Sequence, residues 1–180
     1  MNLRLIDKSN VEHVLHWLTQ KDNCQWLDFG SGTQSLHPAA LKLMIARETN
    51  VIRLFTSDSG DVPIGIVALR DLSPNFKSAM LWYVLGDKAC SRHGYTTRAV
   101  RKLLHFGFAN LGLEAVNAWT VEANIPSIRV LEQNNFRLIG RLRSCHEIDG
   151  QKFDRLLFDL LASEHEGKSR YGIAAKSGSG

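Results

Sequence analysis

The sequence predicts an α/β (α+β) fold: a mixed, mostly antiparallel, twisted sheet of about seven strands flanked by four helices. Three observations carry this expectation. Across the 180 residues, strand-like alternation and helix-like spacing follow one another in the order β α α β β β α β α β β. The run "SAMLWYVLG" (78–86) is apolar on both faces, as a central strand covered on each side must be. A short loop leads from it into a helix and then another strand, a crossover that makes those two strands parallel.

The elements follow in turn. Leu3 and Leu5 alternate with polar neighbours in a first strand over 2–6. Ser9 or Asn10 caps a helix with Val11, Val14, Leu15 and Leu18 on one face. Residues 20–36 read as a loop. Pro38 opens a second helix to about Glu48, with Leu41, Met44 and Ile45 together. "VIRLFTS" (51–57) and "VPIGIVALRD" (62–71) make a hairpin around Asp58-Ser59-Gly60. After the central strand, Ala99, Val100, Leu103, Leu104, Gly107, Phe108 and Leu111 recur at helical spacing, and Gly112 ends that helix. "EAVNAWTVE" (114–122) returns to strand. Pro126 lies in the first turn of a fourth helix, which stops at Asn134-Asn135 because asparagine tolerates the left-handed conformation of a C-cap. Strands at 137–147 and 152–161 pair across Asp149-Gly150. Residues 1–163 form one domain, and 164–180 are expected to be a disordered tail.

Composition narrows the function. Apolar residues are 44% and charged residues 22%, as in soluble domains. No apolar run is long enough for a bilayer and no signal peptide opens the chain, so a cytoplasmic protein without a membrane partner is expected. Cys24, Cys90 and Cys145 form no CxxC pair, and the seven histidines show no HExxH pattern, so neither a disulfide framework nor a metal site is expected. A net charge of +4 suits an anionic ligand but is too small for nucleic acid.

The loop "GDKACSRHGYTTRAV" after the central strand carries chemistry. A glycine directly before a helix leaves several backbone N–H groups pointing outward, with the helix dipole behind them. Gly94 keeps the backbone open there, and Arg92, Arg98, Arg101 and Lys102 add positive charge. A pyrophosphate fits such a site. An ordinary capped β–α loop fits it too, because neither GxxxxGK[ST] nor GxGxxG is present.

A second stretch, "NIPSIRVLEQNNF" (124–136), makes the pair resemble the GCN5-related N-acetyltransferase (GNAT) superfamily. Its phosphate loop, Q/R-x-x-G-x-G/A, matches Ser91-Arg92-His93-Gly94-Tyr95-Thr96, with Ser91 and Thr96 as departures. The wider form G-Y-x-T-x-A is met by Gly94, Tyr95, Thr97 and Ala99. One branch, the ribosomal-protein alanine N-acetyltransferases, carries N-x-x-S-x-x-V-L-E before G-F. Asn124, Ser127, Val130, Leu131, Glu132 and Phe136 are similar to it, with Asn135 in place of the glycine.

The resemblance implies a GNAT fold whose central parallel pair splays apart to admit the pantetheine arm of acetyl-CoA, or another acyl-CoA. It implies that Tyr83, Val84 and Leu85 offer the strand edge and that Asn124 bonds the arm. Arg92, His93, Gly94, Tyr95, Thr96 and Thr97 would hold the pyrophosphate, and a backbone N–H near Val84 would stabilise the oxyanion. An acyl group, most simply acetyl, passes to a primary amine on a small molecule or a protein N-terminus. The assembly would be a monomer or a homodimer. The tyrosine that many relatives use as general acid is replaced by Leu131. Glu122 is the candidate base, or a solvated strand-end residue. Ser127 is a candidate acid, or a helix cap. For Cys145 and His146 the plain expectation is a buried small residue and an exposed imidazole.

Two rivals stand beside this reading. One is a GNAT-fold module that holds an acyl-CoA without catalysis. The other is an S-adenosylmethionine methyltransferase using "LDFGSGT" (27–33), but the residues before Leu27 are poor strand material and Glu48 ends a helical pattern, not a strand. In the GNAT fold that loop lies over the acceptor side. Asp28 would then hold the substrate ammonium, with Trp26 or Phe29 beside it, or the loop makes no contact.

Overall fold

Strands β1 (Leu3–Arg4), β2 (Val51–Thr56), β3 (Pro63–Ser73), β4 (Ser78–Leu85), β5 (Ala115–Val121), β6 (Arg137–Ile148) and β7 (Gln151–Leu161) form one sheet in the order β1-β2-β3-β4-β5-β7-β6. The computed structural model describes residues 1–7, 9–30, 32–34 and 36–166 of the chain. Every neighbouring pair of strands is antiparallel except β4 and β5, as the crossover required. The expected tail lies outside the described residues beyond position 166, and the expected domain end at 163 falls within the last helix.

Among the described residues there are six helices, not four: α1 (Val11–Thr19), α2 (Lys21–Cys24), α3 (Pro38–Ala46), α4 (Tyr95–Ala109), α5 (Ile125–Gln133) and α6 (Ala162–Glu166). The two unexpected ones, α2 and α6, are four and five residues long, too short to print a helical period on the sequence. Helix α2 is held by Asn23, which is buried and whose Nδ2 donates to the Trp17 carbonyl at 2.9 Å. β1 is shorter than its alternation suggested: its pairing with β2 covers Leu3 and Arg4, and Leu5 is 69% exposed.

The turn chemistry is as read. Asp149 and Gly150 both have positive φ, 51° and 78°, the geometry of a two-residue hairpin between β6 and β7. Asn135 takes the left-handed conformation after α5, at φ 68°.

Alternation along the strands divides the core into two. Phe55, Val67, Leu69 and Leu81 pack with Val100, Leu103 and Leu104 of α4 and Leu131 of α5. Ile52, Leu54, Ile66 and Val84 pack on the opposite face with Val14, Trp17 and Leu18 of α1 and Leu41 of α3. Tyr83 and Leu85 belong to the α4–α5 side, and Trp82 belongs to the α1–α3 side.

β4 and β5 pair over only three positions, Ser78–Met80 with Ala115–Asn117. Beyond them β4 stays with β3 as far as Leu85, and β5 stays with β7 as far as Val121. Parallel pairing is the weaker kind, so it gives way as each strand follows the twist of its antiparallel partner. The result is a gap between the two strands in the middle of the sheet.

At the open end of β4, Gly86 lies directly beneath Trp17. A Cβ on Gly86 would fall 2.1–2.4 Å from the indole ring atoms. Gly86→Ala is therefore expected to destabilise the protein by about 1–3 kcal/mol through overpacking. Urea unfolding checks this, and an unchanged midpoint would contradict the packing described.

Candidate functional site

The backbone of β4 decides what the gap offers. Gly86 donates to the Ile64 carbonyl at 2.9 Å, so Gly86 faces β3. The β3–β4 register runs without a shift from Gly65↔Leu85 to Arg70↔Met80. Strict alternation then turns the backbone of Val84 and Trp82 toward β3 as well, gives the Leu81 N–H to the Met80–Asn117 pairing with β5, and leaves Tyr83 and Leu85 facing the gap. Val84, expected to present the oxyanion donor, is thus one residue out of phase. The gap-facing N–H at that level belongs to Leu85.

The loop after β4 ends in two residues with left-handed backbone, Arg92 at φ 65° and Gly94 at φ 71°. Arg92 adopts this conformation without being glycine, which costs strain that the surrounding turn must hold. Gly94 is the N-cap of the fifteen-residue α4, has no side-chain cap bond, and would meet nothing within 4 Å if it carried a Cβ. The first intrahelical bond is from Arg98 N–H to the Gly94 carbonyl at 3.0 Å. The amides of Tyr95, Thr96 and Thr97 precede it and point out of the helix end. These features fit the pyrophosphate of a coenzyme A, and the unpaired β4 edge fits its amide-bearing arm.

The side chains around this cradle are partly engaged elsewhere. Arg98 forms two bonds with Asp58, at 3.2 and 2.8 Å, and lies 4.9 Å from the Tyr95 ring centroid. Arg98 and the N-terminal ammonium hold the Asp58 carboxyl down to about 2. Thr97 Oγ1 donates to Gln133 Oε1 at 2.9 Å, which ties α4 to α5. Arg92, His93 and Gly94 are exposed. A cleft of about 1000 Å³ follows the outer face of α4 past Arg101, Lys102, His105 and Asn134.

Asn124 caps α5, its Oδ1 accepting the Ser127 N–H at 3.3 Å. Ser127 is therefore a first-turn residue and not the cap. Its Oγ lies 2.8 Å from the Tyr83 hydroxyl. Leu131 is fully buried.

The opposite face of the gap is built around an ion pair. Arg155 Nη2 donates to Asp28 Oδ2 at 2.7 Å, with side chains 15% and 13% exposed. Asp28 Oδ1 accepts the N–H groups of Gly30 and Gly32, at 2.8 and 3.1 Å. Burial pushes the Asp28 carboxyl up, but Arg155 and these two N–H groups outweigh it and hold the group below its usual range. The guanidinium also lies 4.2 Å from the Trp119 ring centroid. The "LDFGSGT" glycines thus fold the loop around Asp28. Leu27 and Phe29 pack toward the α1–α3 core, and Trp26 is half-buried.

His146 completes the cluster. Its Nδ1 is 3.0 Å from Arg155 Nη2, and its Nε2 is 2.7 Å from the Gln25 carbonyl. A guanidinium can only donate and a carbonyl can only accept, so Nε2 carries the proton and the ring is neutral. Contrary to expectation, His146 is buried and Cys145 is exposed. A register shift between Leu142 and His146, with Ser144 at φ 51°, exchanges their faces. Glu122 is engaged on both oxygens, by Arg141 at 2.8 Å and by the Asp154 N–H at 3.0 Å. Among the described residues no three His, Cys, Asp or Glu side chains gather as a metal site. No described helix is long and apolar enough to cross a membrane.

Two residues of this region were not singled out in the sequence. Arg155 sits in a strand whose pattern marks only a polar position. Lys88 donates to the Leu85 carbonyl at 3.1 Å and to Asn23 Oδ1, joining α2 to the end of β4. Burial pulls its ammonium below its usual value, against the nearby Asp22 charge. A lysine just past the central strand was the available signal, but one of its two partners, Asn23, lies 65 residues away in sequence.

Comparison with known proteins agrees with this architecture. A family model for the acetyltransferase (GNAT) domain matches residues 1–137. The uncharacterized N-acetyltransferase p20 of Bacillus licheniformis is 28% identical over 125 residues, 69% of each chain. The probable N-acetyltransferase YjcK of Bacillus subtilis is 32% identical over 114 residues, 63% of this chain and 62% of that one. In structure, the spermidine N-acetyltransferase of Vibrio cholerae in complex with CoA and spermine superposes with a TM-score of 0.80 at 16% identity, over 91% of this chain and 96% of the other. An acetyltransferase of the GNAT family from Bacillus anthracis gives 0.73 at 17% identity, over 90% and 95%.

The His146 environment sets a pH dependence. Burial holds the imidazole below its ordinary value; the Gln25 carbonyl opposes this, the Arg155 charge adds to it, and Asp28 opposes it. The unfolded chain takes up a proton near pH 6.5 that the folded chain refuses, so stability falls as pH drops from about 6.5 toward the folded value. Urea unfolding between about pH 7 and pH 5 is expected to lose less stability in His146→Gln than in the wild type. Equal losses would contradict a neutral, buried His146.

Proposed function

The chain belongs to the GNAT acetyltransferase family, and we propose that its acceptor is a small primary amine with a single positive charge. The family reaction moves an acetyl group from coenzyme A to an amine, and the bound donor supplies the thioester that the amine attacks. The chain's own contribution is positional. Tyr83 and the Leu85 N–H present unpaired backbone to the arm, and Asn124 stands at the head of α5 beside it. The α4 amides, with Arg92 beside them, hold the pyrophosphate. The Leu85 N–H faces the gap and serves as oxyanion donor, in the role first expected of Val84. Because Glu122 is held by Arg141 and by the Asp154 N–H, ordered water takes the amine proton.

The observation behind the acceptor class is the Asp28–Arg155 pair. A polyamine needs carboxylates free to meet its second and third charges. On this face Asp28 is matched by Arg155, Glu147 by Lys152 and Asp149 by Lys21. The V. cholerae neighbour is described as a spermidine acetyltransferase, and its likeness supports a small amine without extending to polyamines. Trp26 and Phe29 then line the approach of an apolar amine. A second reading, a protein N-terminus, is favoured by the run Asn124, Ser127, Val130, Leu131, Glu132, which is similar to the ribosomal-protein alanine N-acetyltransferase branch.

Thiol release from acetyl-CoA, measured over a panel of monoamines, alanine-starting peptides and spermidine, tests the acceptor. A monoamine is expected to exceed spermidine by at least about tenfold in kcat/KM, the equivalent of about 1.4 kcal/mol. Spermidine as the best substrate would overturn the proposal. Gly94→Val should weaken coenzyme A binding by about tenfold or more, because a branched residue loses about 1–2 kcal/mol in the left-handed conformation. Undiminished affinity in calorimetry would remove the phosphate cradle from this loop.

A further inference from the structure

The departing sulfur carries negative charge that some group must meet, and Leu131 offers no proton donor there. The helix side of the gap nevertheless holds two hydroxyls. Tyr83 reaches from β4 to the first turn of α5, where its Oη lies 2.8 Å from Ser127 Oγ and 3.0 Å from the Ser127 carbonyl oxygen. Tyr83 belongs to the strand whose gap-facing edge is unpaired, and Ser127 to the helix that begins where β5 leaves the gap.

We propose that Tyr83 is a positioning residue for Ser127, and that it directs the Ser127 hydroxyl proton toward the departing sulfur. The inference rests on the acetyltransferase reading above. The phenol has one proton and two acceptors within reach. When that proton goes to the Ser127 carbonyl, the serine proton is drawn back toward Oη. When it goes to Oγ, the serine proton is free to donate outward. The Ser127 N–H is already taken by Asn124 Oδ1, so the backbone at this turn is fixed and the hydroxyl is the part that rearranges. Burial drives the Tyr83 pKa upward, with the Ser127 bond acting against it, so the phenol keeps its proton. In the reaction the C–N bond forms, the C–S bond breaks and the electron pair passes to sulfur. The amine proton leaves to water on the acceptor face. Tyr83 and Ser127 donate hydrogen bonds and lose no proton, and the released sulfur takes its proton from solvent.

The test uses the full-length protein with coenzyme A labelled at the carbon beside sulfur, and follows thiol ionisation by NMR. Loss of a hydrogen bond to a charged group is expected to raise the bound thiol pKa by about one unit in Ser127→Ala, and by a comparable amount in Tyr83→Phe. The double variant should shift no further than Ser127→Ala alone. Ser127→Thr, which keeps the hydroxyl, should retain the wild-type value, and it carries the test if Tyr83→Phe does not fold. Calorimetric affinity for coenzyme A at a pH where the thiol is protonated should change by less than about twofold, since no arm contact is lost. A Tyr83→Phe shift that persists undiminished without Ser127, or no shift in Ser127→Ala, would overturn the inference while leaving the family reaction intact. A wild-type protein that binds no coenzyme A would overturn the proposed function and this inference with it.

Discussion

Everything at this site depends on where two parallel strands stop pairing. β4 and β5 share three positions and then separate, each held by an antiparallel neighbour on its far side. In a protein interior, an unpaired strand edge is costly unless something bonds to it. Tyr83 and Leu85 therefore define both the opening and its chemical demand: a ligand with alternating amide donors and acceptors. The α4 N-terminus lies at the far end of the loop that leaves this edge, so one short stretch of chain supplies both an amide edge and an anion cradle.

The walls of the gap are fastened by different means. On the helix side, Tyr83 meets Ser127 and Thr97 meets Gln133, so β4, α4 and α5 are linked by neutral hydrogen bonds. On the opposite side the fastening is ionic. Asp28 and Arg155 come from positions 127 residues apart, and His146, Gln25 and Gln34 extend the bond network to the β6–β7 hairpin. Removing one partner of such a half-buried pair strands the other charge, a loss of about 3–5 kcal/mol where burial is complete. The loop around Asp28 is thus held in place by a carboxylate that is already neutralised by Arg155.

The order of strands and long helices was legible because each carries its own period, and the turns at Asp149-Gly150 and Asn135 were legible because their backbone requires those residues. The left-handed turn that opens α4 was legible through Gly94. The phase of β4 was not. Val84 and Leu85 are both apolar, and only the hydrogen bond from Gly86 to Ile64 fixes which N–H faces the gap. The exchange of Cys145 and His146 was also hidden, since a bulge flips every later side chain and leaves no residue signature in "RSCHE". Asp28 stood out in the sequence, but its partner Arg155 arises from tertiary contact alone. Helices α2 and α6 escaped because single turns are stabilised by what they dock against.

The most direct measurement is residue-resolved amide hydrogen exchange with and without coenzyme A. The Tyr83 and Leu85 amides, free at the gap edge, are predicted to gain protection when coenzyme A is added. Trp82 and Val84, already bonded to β3, should change little. Protection that appears at Val84 instead, or at none of these four residues, would contradict a β4 edge that receives the donor.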